Sequence, residues 1–282
     1  MIIDFHTHLF PDKVAERTVE ALKAKSGNTP YSDGTTEGLL SALGRAGVSL
    51  AINHPVLTRA EQFDSVFRFC LELNEKYSPS LPITEDSLKS GAKILSFMGI
   101  HPDCNEVEEK LAAIKESGFL GIKIHPDYQG TFFDDERYIR ILTAAKSLGL
   151  ITITHAGVDG AFIGEPVRCT PERTLRVLDK IGGYPSLVLA HLGANMMAEE
   201  FFGTLAGEDI YIDTAHLLSK TDRELFIRYI EKHGEDKILF ATDSPWSDIK
   251  ADAEKIRSYG LPAAAEEKIT YKNALGLLNA KA

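Results

Sequence analysis

Residues 2–8 read Ile2-Ile3-Asp4-Phe5-His6-Thr7-His8. A short apolar run ends in two histidines one residue apart. Side chains two apart on a strand point to the same side, so both rings can meet one point where the strand ends. Outward from this stretch the same construction repeats: a β-branched or apolar run, then a helical segment. Strands are expected at Ile2–Phe5, Val48–Asn53, Lys93–Ile100, Phe119–Ile124, Leu150–Thr154, Leu187–Ala190, Asp209–Asp213 and Lys237–Ala241. Amphipathic helices are expected at Glu106–Ser117, Asp134–Leu148, Asn195–Leu205, Thr221–His233 and Asp252–Tyr259. In the first of these, Val107, Leu111 and Ile114 keep helical spacing against charged neighbours. Another helix starts at Thr170-Pro171, with Thr170 as N-cap and Pro171 at the first helical position.

Eight strands alternating with helices over 282 residues point to an α/β chain folded as a (β/α)8 barrel, one domain spanning residues 1–282. The strand ends fall at 6, 53, 100, 124, 154, 190, 213 and 241. The first two intervals are long, 53 − 6 = 47 and 100 − 53 = 47 residues, so insertions are expected after strands 1 and 2. Residues 26–36 and 78–84 have the composition of loops within them. A doubly wound sheet is the rival, but no Gly-rich phosphate loop follows strand 1.

Composition narrows the function. Hydrophobic residues make up 44% and charged residues 26%, as in ordinary folded domains. The net charge of 31 − 41 = −10 argues against a general nucleic-acid binder, which carries a basic footprint. No apolar run approaches the roughly 20 residues that cross a bilayer, and the N-terminus lacks the basic and apolar regions of a signal peptide. Cys70, Cys104 and Cys169 are odd in number and far apart, which fits free thiols in a cytoplasmic protein.

The nine histidines are not scattered. His6 and His8 close strand 1, and His54, His101, His125, His155, His191 and His216 each follow a later strand. Eight imidazoles thus converge on the C-terminal rim, where barrel enzymes carry their active sites. His233 alone sits in a helix and is expected to be solvated at its end. Neutral imidazole is the commonest metal ligand. His6 and His8, with His155 as third nitrogen and Asp243 as carboxylate across the seam between strands 8 and 1, make the expected set for one metal ion. Such a set leaves room for a water and describes a catalytic site. His191 is expected as acid/base, or as ligand to a second metal.

Lys123 and His125 share one face of strand 4 in Gly121-Ile122-Lys123-Ile124-His125-Pro126. An inward lysine is costly unless its charge is used. It could orient an anionic substrate, bridge two metals after modification, or pair with Asp127. Arg168, on the loop after strand 5, could hold a carboxylate. His54 and His101 are expected to line the substrate wall, with Trp246 as an apolar face. A small molecule, such as a carboxylate, is therefore the expected partner; a homodimer is a common outcome that these residues do not encode.

Four motifs resemble those of the amidohydrolase superfamily, in its branch of metal-dependent hydrolases related to aminocarboxymuconate-semialdehyde decarboxylase. They are Ile3-Asp4-Phe5-His6-Thr7-His8, Thr154-His155-Ala156-Gly157, Ala190-His191-Leu192-Gly193 and Phe240-Ala241-Thr242-Asp243-Ser244-Pro245-Trp246. Asn273-Ala274-Leu275-Gly276-Leu277-Leu278 is similar to the terminal helix of that branch. The resemblance spans the chain. It implies a barrel, one divalent metal, most often zinc, held by His6, His8, His155 and Asp243, and His191 as the residue that deprotonates or positions the metal's water. Lys123 stands where binuclear members place a bridging group. Gly99-Ile100-His101-Pro102 is similar to TatD-type nucleases, which carry an acidic residue where this chain has Lys123.

The expected activity is therefore metal-dependent hydrolysis of a small ester, lactone or amide, with His191 and Asp243 activating the water. The alternatives are decarboxylation of a small unsaturated or aromatic acid, a binuclear phosphodiesterase or nuclease, and a metal-binding barrel without catalysis.

Overall fold

The computed structural model describes residues 1–282. Its first strand, β1 (Ile3–Thr7), pairs in parallel with β2 (Leu50–Asn53), and β2 with β3 (Lys93–Ser96). After Phe97 the same chain segment continues as β4 (Met98–Gly99) and starts a second parallel ladder. That ladder runs through β5 (Gly121–Ile124), β6 (Ile151–Thr154), β7 (Leu187–Leu189), β8 (Tyr211–Asp213) and β9 (Ile238–Leu239) in order. The chain after β9 returns to β1. Phe5 N donates to Phe240 O, Asp243 N to His6 O and His8 N to Ser244 O, at 2.9, 2.8 and 2.6 Å. β3 and β4 count as one stave, so eight staves close on themselves as a (β/α)8 barrel.

Three helices fill the two long early intervals: α1 (Asp12–Ser26) and α2 (Thr36–Ala46) after β1, and α3 (Phe63–Tyr77) after β2. The outer layer continues with α4 (Val107–Glu116), α5 (Glu136–Ser147), α6 (Pro171–Ile181), α7 (Ala198–Thr204), α8 (Arg223–His233) and α9 (Ile249–Ser258). Thr170 caps α6 as expected, its side chain accepting from Arg173 N. Two short helices, α10 (Ala263–Glu267) and α11 (Asn273–Asn279), end the chain. No helix is long and apolar enough to cross a membrane.

Two apolar clusters position the site. The larger lies between strands and helices. The smaller gathers Ile3, Phe5, Leu50, Ile52, Leu95, Phe97, Ile151, Ile153, Val188 and Leu239 with Ala274, Leu277 and Leu278 of α11. It is the filled barrel interior, stoppered at the strands' N-terminal end by the last helix. Gly121 belongs to this packing, because a Cβ there would meet the Phe97 ring at 2.4 Å and Ile151 O at 2.7 Å. The polar side chains that matter for function gather at the opposite rim.

The strand that carries the paired histidines is not regular. Asp4 faces Ala51 and Thr7 faces Asn53, so three steps on β1 match two on β2. A bulge of one residue reverses the side-chain alternation beyond it. Phe5 thus packs in the barrel interior while His6 also reaches interior partners.

Candidate active site

His6 and His8 are each held by one ring nitrogen. His6 Nδ1 donates to Asp213 Oδ2 at 2.8 Å, and His8 Nδ1 to His54 O at 2.7 Å. In each neutral ring this leaves Nε2 as a bare lone pair, the tautomer that a metal requires. Both lone pairs face Asp243 Oδ1, at 3.6 Å from His6 and 3.1 Å from His8. These three ligand atoms lie within 4.8 Å of one another, close enough for one cation to meet all three. The donor set and its bracing therefore fit a divalent cation. Burial pushes the Asp243 carboxyl up, but its interactions with His8 outweigh it, with His191 and His216 adding to them, and hold it well below the usual range. Asp243 also sits in left-handed backbone, φ 68°, as do His191 at 61° and His216 at 62°. Strain of this kind gathers at functional rims.

Lys123 is buried to 1% exposure, and its ammonium donates to His6 Nε2 at 3.1 Å. Burial lowers its pKa to about 8 against the pull of Asp213 and Asp243. Asp213 is raised to about 7 by burial, although His191 N and Ala215 N donate to it.

His191 continues the cluster. Its Nδ1 donates to Ala215 O at 3.0 Å, and its Nε2 lies 2.9 Å from His155 Nδ1. Burial brings its pKa down to about 4. The structure places His155 in a second trio, with His125 and Asp159. The His125 and His155 rings stack at 4.5 Å and 10°, and His125 Nε2 lies 3.4 Å from Asp159 Oδ2. His155 Nε2 and Asp127 Oδ2, 3.9 Å apart, are both buried without a hydrogen-bond partner. Burial pushes the pKa of both His125 and His155 well below the ordinary value, with the neighbouring imidazoles adding to it. Gly157, at φ 82°, lets this loop pass the next one at a distance where a Cβ would meet Asn195 N at 2.2 Å.

The remaining expected residues lie around these two groups. Arg168 Nη1 is 3.4 Å from Asp127 Oδ1, and Nη2 donates to Glu165 Oε2 at 2.8 Å. Asp127 is therefore the partner of Arg168, and Lys123 turns to His6. His54 is fully buried; its Nε2 donates to Phe5 O at 2.7 Å and its ring meets His6 edge-on. His101 accepts from Asp103 N at 3.1 Å. Trp246 is half-buried on the turn after Asp243, its N–H donating to Asp243 O. His233 is not solvated. It is 6% exposed, packs on Phe201, and sits between Gly207 N and Ile210 O, because the preceding helix α7 covers it.

Two carboxylates escaped the sequence reading, Asp213 and Asp159, while Asp127 was read only as a partner for Lys123 and meets Arg168 instead. Asp213 had a signal, an acidic residue closing the apolar run Tyr211-Ile212. Asp159 lies on a loop, where an aspartate is unremarked.

A family model described as Amidohydrolase matches residues 3–280. No curated protein matches. Among solved structures, the chain is similar to a 2,6-dihydroxybenzoate decarboxylase from Rhizobium, at 17% identity and TM-score 0.65, over 100% of this chain and 99% of that one. It is also similar to a 5-carboxyvanillate decarboxylase from Novosphingobium aromaticivorans, complexed with manganese and 4-hydroxy-3-methoxy-5-nitrobenzoic acid. There the identity is 14% and the TM-score 0.68, over 99% and 96% of the two chains. An uncharacterized TIM-barrel protein from Bordetella bronchiseptica reaches TM-score 0.71 at 16% identity, over 99% of each chain. At these identities the likeness concerns the fold.

Proposed function

The chain belongs to the amidohydrolase family, and from that premise we propose that it decarboxylates a small aromatic or unsaturated carboxylic acid with the help of a divalent cation. This replaces the expectation of ester, lactone or amide hydrolysis, because the barrels it resembles with a named reaction are decarboxylases. One unit spanning residues 1–282 would carry the whole reaction.

The observation that supports this reading is the buried ammonium of Lys123 beside the His6–His8–Asp243 trio. Carboxyl groups outnumber cationic ones at the rim: Asp243, Asp213, Asp127 and Asp159 against Lys123 and Arg168. An anionic substrate is repelled by that balance until a divalent cation is added. His6, His8 and Asp243 would hold the cation, and a set of two imidazoles and a carboxylate accepts Mn²⁺ as well as Zn²⁺. When bound, the cation supplies a Lewis acid that docks the substrate's oxygens. Lys123 then holds the carboxylate next to it, and Arg168 is placed to meet a second anionic group if it leaves Glu165. His191 Nε2 faces the cluster while Ala215 O fixes the ring, so it is the atom at which a proton is taken up and delivered. The carbon–carboxylate bond breaks, CO₂ leaves, and the electron pair left on the carbon takes that proton. Filled walls and buried imidazoles exclude the water that would otherwise compete.

The test is to strip the protein of metal, reload it with Mn²⁺ or Zn²⁺, and offer 2,6-dihydroxybenzoate, 5-carboxyvanillate and other hydroxylated or unsaturated acids. CO₂ release is expected, with one deuterium at the vacated carbon when the reaction runs in D₂O. Turnover of esters or lactones with no CO₂ from any acid would overturn the reading.

A further inference from the structure

We infer that Lys220, presented at the rim by His216, is a specificity-determining residue that takes a second anionic group of the substrate. The substrate is then a dianion, most simply a dicarboxylate, rather than a plain monocarboxylate. The inference rests on the decarboxylase reading for the class of substrate. Lys220 and His216 lie beyond β8, three staves round the mouth from Lys123 on β5. His216 N donates to Thr242 O at 3.1 Å, next to Asp243, and the preceding Ala215 O accepts from His191 Nδ1. The pair is therefore fixed between the carboxylate of the first trio and the imidazole assigned to proton transfer.

The other cations near the cluster are spent. Lys123 is buried against His6. Arg168 would have to leave two carboxylates, those of Glu165 and Asp127. Lys25 sits over the Phe162 and Tyr128 rings, 3.7 and 4.5 Å from their centroids. Lys220 is exposed, and its ammonium donates to one neutral acceptor, His216 Nε2, at 2.7 Å. Asp243 is the carboxylate whose charge reaches it, from beyond ion-pair distance. An anion is the stronger partner for an ammonium, because Coulomb attraction adds to the hydrogen bond. The ammonium is also well placed in advance. Lys220 N donates to Leu217 O at 2.9 Å, and the buried Tyr259 hydroxyl donates to Thr221 O at 2.7 Å, which closes the turn. An ordered turn lowers the entropy lost on binding. His216 stands in left-handed backbone, φ 62°, with Nδ1 buried and partnerless. Its ring thus makes one polar contact, to the ammonium. Strain and an unspent polar atom of this kind persist where a site uses them.

Binding tests this apart from turnover. The full chain, loaded with Mn²⁺, is titrated by calorimetry with isophthalate, a dianion, and with benzoate, a monoanion. Isophthalate should bind the wild type about tenfold more tightly, the low end for a hydrogen bond between charged groups because Lys220 is exposed. Lys220→Met should bring isophthalate down to the benzoate level and leave benzoate where it was, and Lys220→Arg should restore part of the difference. Equal affinities in the wild type, or no binding of either anion, would overturn the inference, and that comparison needs no variant. A parallel loss for both anions in Lys220→Met, or an undiminished preference for isophthalate, would overturn it too. With an acid that the protein decarboxylates, Lys220→Met should raise KM more than it lowers kcat. If no acid releases CO₂ while the calorimetric difference holds, the decarboxylase reading falls and the anion site stands.

Discussion

The two histidine–aspartate trios on the rim are held in different ways. In the first, both histidines come from the end of β1, and each has its second nitrogen fixed, by Asp213 or by the His54 carbonyl. Its carboxylate stands on the segment hydrogen-bonded to the same strand. In the second, His125 and Asp159 stand on the loops after β5 and β6, and only His155 has its other nitrogen engaged by a ring. Bracing by strands and orienting acceptors pre-pays the ordering of a site. The first trio is thus the more firmly ordered of the two.

The most severe way to break this contrast is Asp243→Asn. It removes the one anionic ligand of the first trio, and turnover should fall by more than the roughly 10⁴-fold that loss of an acid/base group costs. Elemental analysis should show the ion gone from that trio. His191→Asn should reduce kcat by roughly 10²–10⁴-fold with metal content unchanged. Metal loss in His191→Asn would instead make His191 a ligand. Asp213→Asn removes the carboxylate charge behind His6 and should weaken metal affinity roughly 10–100-fold, read by competition with a chelator. Equal affinities for Asp213→Asn and the wild type would mean that bracing does not distinguish the trios.

The same contrast explains what could be read from residues alone. The strands were legible to within two residues at their starts, because β-branched runs and helical spacing are local signals. The His6–His8 pair was legible because strand period places i and i+2 together. The bulge between Asp4 and Thr7 was not, since nothing in Asp4-Phe5-His6-Thr7 shows that β2 is one residue shorter across the pairing. Asp159 was illegible for a different reason: its meaning depends on how two loops pass each other at Gly157 and Asn195. The helices α1, α2 and α3 were read only as extra length. The hydrolytic reading went astray because the ligand residues serve either reaction, and the choice lies in what surrounds them.

A histidine outside both trios supplies the smallest and cleanest control. His233 is buried beneath α7, and burial lowers its pKa to about 4 from an unfolded value of 6.5, despite the hydrogen bond to Ile210 O. Between those values the unfolded chain binds the proton and the folded chain does not, so stability rises with pH. The contribution is complete above pH 6.5 and is lost as the pH falls toward 4. From pH 7 to pH 5 this amounts to about 2 kcal/mol. In His233→Gln, denaturant titrations at the two pH values should show a drop smaller than the wild type's by that amount, measured with both proteins metal-free. His233 touches no residue of either trio, so its variant should keep the wild-type metal count. An unchanged pH slope would assign the acid sensitivity to the rim imidazoles, and the buried histidines of the site would then be the ones that charge first.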